Sequence, residues 1–261
     1  MQKTLVYVIL GTPGSGRRDI LADLISESFT ADDKVACLLS GSEKDSPADA
    51  KLGTLARWRW TAEKKIEAEI PEGTRTLFFL CDSRANPVDQ MEALTAWLPA
   101  NSCEMGRVLT VVDCTLVSAK PGILPWLDAC IHFSDVALLN RRENVPNKWM
   151  SDFIARFEAQ CLPCLFELVR KDKVRNPAAI LDPQARRISQ VFDEVPEDGL
   201  GNGVFKIEDD EDFDEDEDDE DMEGGESPDD EDDVPTEDPY FVRKPGGGRV
   251  KQIPDVNQFL S

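Results

Sequence analysis

The sequence predicts an α/β fold of three layers, a mostly parallel sheet between helices, followed by a disordered acidic C-terminal tail. Three observations predict it. Six short apolar runs are continuously hydrophobic rather than alternating, as in strands buried on both faces, and longer stretches of helical character separate most of them. A glycine-rich turn joins the first run to the first amphipathic stretch. Between residues 208 and 221 every position except Phe213 is acidic. Such a run cannot bury itself, and its like charges repel into an extended chain.

Taken in order, Leu5-Val6-Tyr7-Val8-Ile9-Leu10 reads as a buried strand and residues 17–28 as an amphipathic helix. Residues 35–39 form a second strand, and a polar loop containing glycine and proline follows to residue 48. A helix is expected over residues 50–70, with Trp58 and Trp60 near its middle as core residues rather than a partner surface. A third strand at 76–81 ends in Asp82-Ser83-Arg84-Ala85-Asn86-Pro87, and a helix covers 88–98. The fourth strand spans 107–113, a helix 123–133, the fifth strand 136–139, a helix 147–160 and the sixth strand 164–169. One further helix is expected within residues 177–192. In a parallel sheet ligands bind beyond the carboxyl ends of the strands. Four of the six ends carry polar or glycine-rich groups: Gly11 to Arg18, Asp82, Asp113, and Asn140 to Glu143.

The net charge of −23 over 261 residues is unevenly placed. Of the 52 acidic residues, 22 lie between 208 and 238 and one follows; 29 remain in residues 1–207 against 25 basic ones. The body is therefore nearly neutral. The chain divides into a main domain over 1–175, an extension over 176–207, the acidic segment over 208–238, and a basic, aromatic motif over 239–261 suited to docking on a protein partner. The acidic segment disfavours nucleic acid as a ligand, since it opposes a phosphate backbone. It either solvates the chain without touching the body or competes with anions for basic groups on it. No signal sequence is apparent, and no apolar run is long enough to cross a bilayer. Seven scattered cysteines suit reduced thiols and a cytoplasmic location. A single histidine, His132, disfavours a histidine-based metal site or triad. Cys161-Leu162-Pro163-Cys164 has no second such pair to complete a zinc site.

Gly11-Thr12-Pro13-Gly14-Ser15-Gly16-Arg17-Arg18 stands between a strand and a helix, the context of a phosphate-binding loop. Glycines let successive N–H groups turn inward toward an anion, and the helix start adds its unpaired N–H groups and positive dipole end. Gly11, Gly14, Ser15, Gly16, Arg17 and Arg18 are the candidate phosphate-binding residues of a P-loop NTPase-like domain. The usual lysine and hydroxyl are replaced by Arg17 and Arg18. Arg18 cannot ligate Mg²⁺ as a hydroxyl would. Nucleotide binding with little hydrolysis and little need for Mg²⁺ is one outcome; a tight turn without a ligand is the other. Asn140-Arg141-Arg142-Glu143 ends the fifth strand in the manner of an N-K-x-D guanine-reading motif. Asn140, Arg141 and Glu143 are the candidate base-binding residues, and Asp82 and Asp113 are candidate metal or switch carboxylates.

With Ala85-Asn86-Pro87, Val111-Val112-Asp113 and Asp135-Val136-Ala137-Leu138-Leu139-Asn140, these motifs resemble the CobW/HypB/UreG family of P-loop GTPases, the CobW branch most closely. The resemblance covers about residues 4–169. It implies GTP as ligand, at most slow hydrolysis, and a link to the delivery of metals to proteins and cofactors. The C-x-C-C motif and the separate C-terminal domain of CobW proteins are absent from this sequence. The alternative is a non-catalytic interaction scaffold acting through the acidic tail and the C-terminal motif.

Overall fold

A computed structural model describes residues 3–193 and 237–260. Among them, eight strands form one sheet in the order β4-β3-β2-β5-β1-β6-β7-β8. They are β1 (Thr4–Gly11), β2 (Val35–Ser40), β3 (Thr54–Trp60), β4 (Ile66–Glu67), β5 (Thr76–Leu80), β6 (Cys103–Asp113), β7 (Val136–Asn140) and β8 (Leu165–Leu168). All pairings are parallel except β3 with β4. The helices are α1 (Arg17–Ser28), α2 (Pro87–Ala100), α3 (Cys114–Ala119), α4 (Leu124–His132), α5 (Asn147–Glu158) and α6 (Pro177–Leu181).

The fold is a three-layer α/β arrangement, a mostly parallel sheet between helices, and the alternation of side chains along β1 shows how it is built. Val6, Val8 and Leu10 point to one face, where they join Leu94 of α2, Leu127 of α4 and Phe153 of α5 in one core. Tyr7 and Ile9 point to the other, where Ile20, Leu21 and Leu24 of α1 and Ile180 of α6 cover them. Both faces of β1 thus pack in apolar core. At about 25 cal/mol per Å² of apolar surface removed from water, these two cores supply the main drive to fold.

One expectation is overturned. Residues 50–70 are not helical. A short 3-10 turn, Pro47–Lys51, leads instead into β3, which pairs in parallel with β2, and β4 returns antiparallel. Leu52, Leu55 and Ala56 imitate helical spacing, but from Arg57 onward the residues alternate out and in. Trp58 is buried, stacks on Phe79 with ring centroids 5.0 Å apart, and donates its indole N–H to Leu80 O at 2.9 Å. The core role expected of Trp58 holds, on a strand. Tryptophan, threonine and leucine suit a half-buried pleated surface better than a solvated helix. The helix expected within 177–192 is only the five-residue α6.

The C-terminal segment packs on the same body. Tyr240 is buried against His132 and Phe133, Phe241 stacks on Phe133 at 5.6 Å, and Val256 is buried. Arg249 donates to Asp89 at 2.8 Å and Glu92 at 2.5 Å, both on α2. The aromatic and basic residues that suit a docking motif are thus engaged within the chain. Most of the acidic segment, residues 208–236, lies outside the described residues, and so do its two expected roles. Among the described residues no helix is long and apolar enough to cross a membrane.

Candidate functional site

β1 ends in Gly11, where a Cβ would stand 2.6 Å from Val111 O on the neighbouring β6, so only glycine fits. The chain then turns through Thr12 to Gly16, with Ser15 N–H donating to Thr12 O at 3.2 Å. Gly14 and Gly16 have φ of 77° and 91°, the left-handed region that glycine enters without strain. α1 begins at Arg17 with no side chain capping its first N–H groups. The hydroxyls of Thr12 and Ser15 are buried and have no hydrogen-bond partner. The loop opens on a cavity of about 380 Å³, lined in part by Thr12, Gly14, Gly16, Ser42, Asp82 and Arg84.

Both arginines of the loop face this cavity, and both are already paired. Arg17 folds back over the sheet, donating to Cys81 O at 2.7 Å and Ile9 O at 3.4 Å, and pairs with Glu43. Arg18 donates to Glu43 Oε2 at 2.7 Å and to both oxygens of Asp49 at 2.9 and 3.1 Å. Ser83 N–H adds a third donor to Glu43 at 3.1 Å. The four side chains are only 5%, 12%, 11% and 13% exposed for Arg17, Arg18, Glu43 and Asp49. Burial alone would raise the Glu43 carboxyl, but the Arg17 charge and the bonds from Arg18, Arg17 and Ser83 outweigh it and lower it to about 2. Asp49 is fixed from behind, because its Oδ2 also accepts from Ser46 N–H in the capping box of the 3-10 turn. Arg57 of β3 holds the Glu43 loop by donating to Ser40 O at 3.0 Å and Glu43 O at 2.9 Å.

Asp82 lies at the same cavity and accepts from Ser42 Oγ at 2.6 Å and Arg84 N–H at 2.9 Å. Asp113 caps α3 through Leu116 N–H at 3.0 Å and stands 3.8 Å from Arg141 Nε. No group of three or more potential metal ligands occurs among the described residues.

The second motif meets the first from across the sheet. Asn140, buried at the end of β7, donates to Ser15 O at 2.9 Å and to Asp172 Oδ1 at 2.8 Å. A Cβ on Gly16 would lie 2.7 Å from Asp172 Oδ1 and closer still to Asn140 Nδ2. Asn140 therefore locks the loop's shape. Arg141 has a left-handed φ of 55° that turns the chain away, and Glu143 is exposed. Asn140, Arg141, Glu143, Arg170, Lys171 and Asp172 line a separate cleft of about 420 Å³.

Of the sequence-predicted residues, Gly14, Gly16, Arg17, Arg18 and Asp82 line one cavity, Asn140 and Glu143 line the other, and Arg141 lines both; Gly11 only fixes the end of β1, and Asp113 faces a third cleft with Arg141 and Glu143. Ser15 links the first two through its carbonyl. Glu43, Asp49, Ser83 and Asp172 were missed. Each lies just beyond the carboxyl end of a strand or in the loop that follows it. An arginine pair next to a loop holding two acids is the signal that could have found the first two. Among the cysteines, Cys37 and Cys164 are buried with thiols pushed up to about 12 by desolvation, and Cys161 is exposed.

No protein-family profile and no curated protein matches this chain. Solved structures do. One is the Zn(II)-bound YjiA GTPase from E. coli; another is a Zn(II)-bound triple mutant of YjiA GTPase. Each is 11% identical, with 75% of this chain and 67% of the other covered and a TM-score of 0.48.

Proposed function

We propose that the chain is a guanine-nucleotide-binding protein of the P-loop type with little or no hydrolysis. The observation that carries this reading is the uncapped start of α1 behind a glycine loop, opening on a cavity with the unpaired Thr12 hydroxyl. Backbone N–H groups and a helix dipole favour a phosphate there. Asn140 and Glu143 border the adjoining cleft, where a carboxylate can accept from guanine's N1–H and exocyclic amine. Weak turnover follows from the loop's own residues. Arg17 is tied to main-chain carbonyls and Glu43, and Arg18 offers no hydroxyl to Mg²⁺, so both phosphate positioning and metal placement are impaired. GTP is the ligand and Mg²⁺ contributes little. Metal-cofactor delivery, a cytoplasmic location and a basic protein partner for the acidic segment belong to the same reading.

A second reading, an interaction scaffold with a vestigial site, is favoured by one observation: Glu43 and Asp49 already neutralise both arginines. Calorimetric titration with GTP and ATP, with and without Mg²⁺, separates the two. The first reading expects binding of GTP over ATP, unchanged by Mg²⁺; the second expects neither nucleotide to bind.

A further inference from the structure

The three strongest features outside the reading above are the Glu43 contact, the His132–Asp238–Ser189 cluster and the exposed edge of β8. In the cluster, Asp238 accepts from both His132 and Ser189, so the serine bonds the carboxylate rather than the imidazole and the group serves to pin the C-terminal segment. The β8 edge is four residues long, and nothing shows what would cover it. The Glu43 contact reaches further.

We propose that Glu43 is a resident anion of the loop, a displaceable internal stand-in for a phosphoryl group. This rests on the nucleotide reading above and adds a gate to it. The geometry is that of anion recognition. One carboxylate takes bonds from two guanidinium groups and from the Ser83 N–H, beside the uncapped start of α1 and the unpaired Thr12 hydroxyl. A phosphoryl group offers at least three acceptor oxygens in place of two and carries equal or greater charge, so it can replace Glu43 at the same donors. The carboxylate is tethered, and tethering gives it a high effective concentration. It therefore depresses the apparent affinity for any free anion by the fraction of time it occupies the site.

Glu43 is carried by residues 41–46, between β2 and the 3-10 turn, and Arg57 holds that loop by its carbonyls. Asp49 keeps Arg18 paired when Glu43 leaves, so only Arg17 loses its charged partner, keeping its bonds to the Cys81 and Ile9 carbonyls. A ligand must then offer at least one doubly charged terminal phosphoryl group to compete. Inorganic pyrophosphate offers such a group and does not depend on base recognition.

The test compares three full-length proteins, the unmodified chain, Glu43→Gln and Arg57→Ala, in calorimetric titrations with pyrophosphate and with GTP. Cooperative melting establishes that each is folded. Glutamine keeps the size of the side chain and removes its charge. Arg57→Ala leaves the arginine pair and Glu43 intact and only loosens the loop, so it serves if Glu43→Gln does not fold. Both variants are expected to bind pyrophosphate at least tenfold more tightly than the unmodified chain. If a folded variant binds pyrophosphate no better, the gate is refuted. If GTP binds all three equally, the gate falls while the nucleotide reading stands. If pyrophosphate binding rises but GTP binds none of them, the gate stands and the guanine reading falls.

Discussion

Glu43→Gln also has a consequence for stability that the structure sizes directly. The carboxyl, ordinarily near 4.5, is lowered to about 2, and a fall of that size is worth roughly 3 kcal/mol of native-state stability. An independent route gives a similar figure, since removing one partner of a buried ion pair leaves the other charge uncompensated at about 3–5 kcal/mol. Because the folded value is depressed, this stability is fully present above the unfolded value near 4.5. It is lost as the pH falls toward about 2, where the folded carboxyl takes its proton. The variant should therefore unfold about 3 kcal/mol more easily than the parent at pH 7, a drop of roughly 10 °C in a domain of this size. The gap should begin to shrink near pH 4.5 and close near pH 2. Urea unfolding followed by circular dichroism, run on both proteins in parallel at pH 7, 5, 4 and 3, measures it. Other carboxylates cancel in the difference. A gap that stays constant from pH 7 to pH 3, or that is absent at pH 7, would refute the assignment of Glu43 as a charged partner of the arginines.

Three further outcomes follow from the packing. Gly16→Ala should destabilise the chain by about 1–3 kcal/mol, because φ of 91° and the crowding by Asn140 and Asp172 leave a methyl no room; chemical denaturation reads it, and an unchanged midpoint would remove the claim that Asn140 shapes the loop. Trp58→Ala should lose about 3–5 kcal/mol, the usual range for emptying a buried aromatic site, with the indole bond to Leu80 lost as well; a loss under 1 kcal/mol would contradict its place in the core. Arg249→Ala breaks the contacts to Asp89 and Glu92, the bond to Tyr240 O and the stacking on Phe241. Limited proteolysis should then cleave at Tyr240 and Phe241 several-fold faster than in the parent, and equal rates would show that Arg249 does not hold the C-terminal segment.

Where a single sequence speaks clearly, it does so through long apolar runs. β1, β2, β5, β6 and β7 were legible because both faces of an inner parallel strand are buried and the residues need no second pattern, whereas β8, half-buried at the edge, was legible from its short apolar run alone. α1 was legible to the residue because Gly16 in the left-handed region forces its start. β3 was not, because it lies near the edge of the sheet and shows mixed burial, with apolar residues that mimic a helix before the alternation sets in at Arg57. The candidate site was legible only where a motif is continuous in sequence. Gly11 to Arg18 and Asn140 to Glu143 could be placed on the same edge of the sheet from order alone. That Asn140 bonds Ser15 and Asp172, and that Glu43 and Asp49 neutralise the arginines, depends on loops brought together across 26 to 125 residues of chain. No local pattern encodes such a contact. The basic, aromatic motif at the C-terminus was legible as a docking element, but not that its groove is on the same chain, between α2 and α4.

The central claim is that the loop is a nucleotide site without catalysis, and one measurement addresses it most directly. The purified full-length protein is titrated calorimetrically with GTP in the presence and absence of Mg²⁺, with ATP as the comparison, and phosphate release is followed in the same samples. GTP should bind in preference to ATP, with the same affinity whether or not Mg²⁺ is present, and phosphate release should stay at the level of buffer. Equal binding of ATP and GTP, or GTP hydrolysis well above that level, would contradict it.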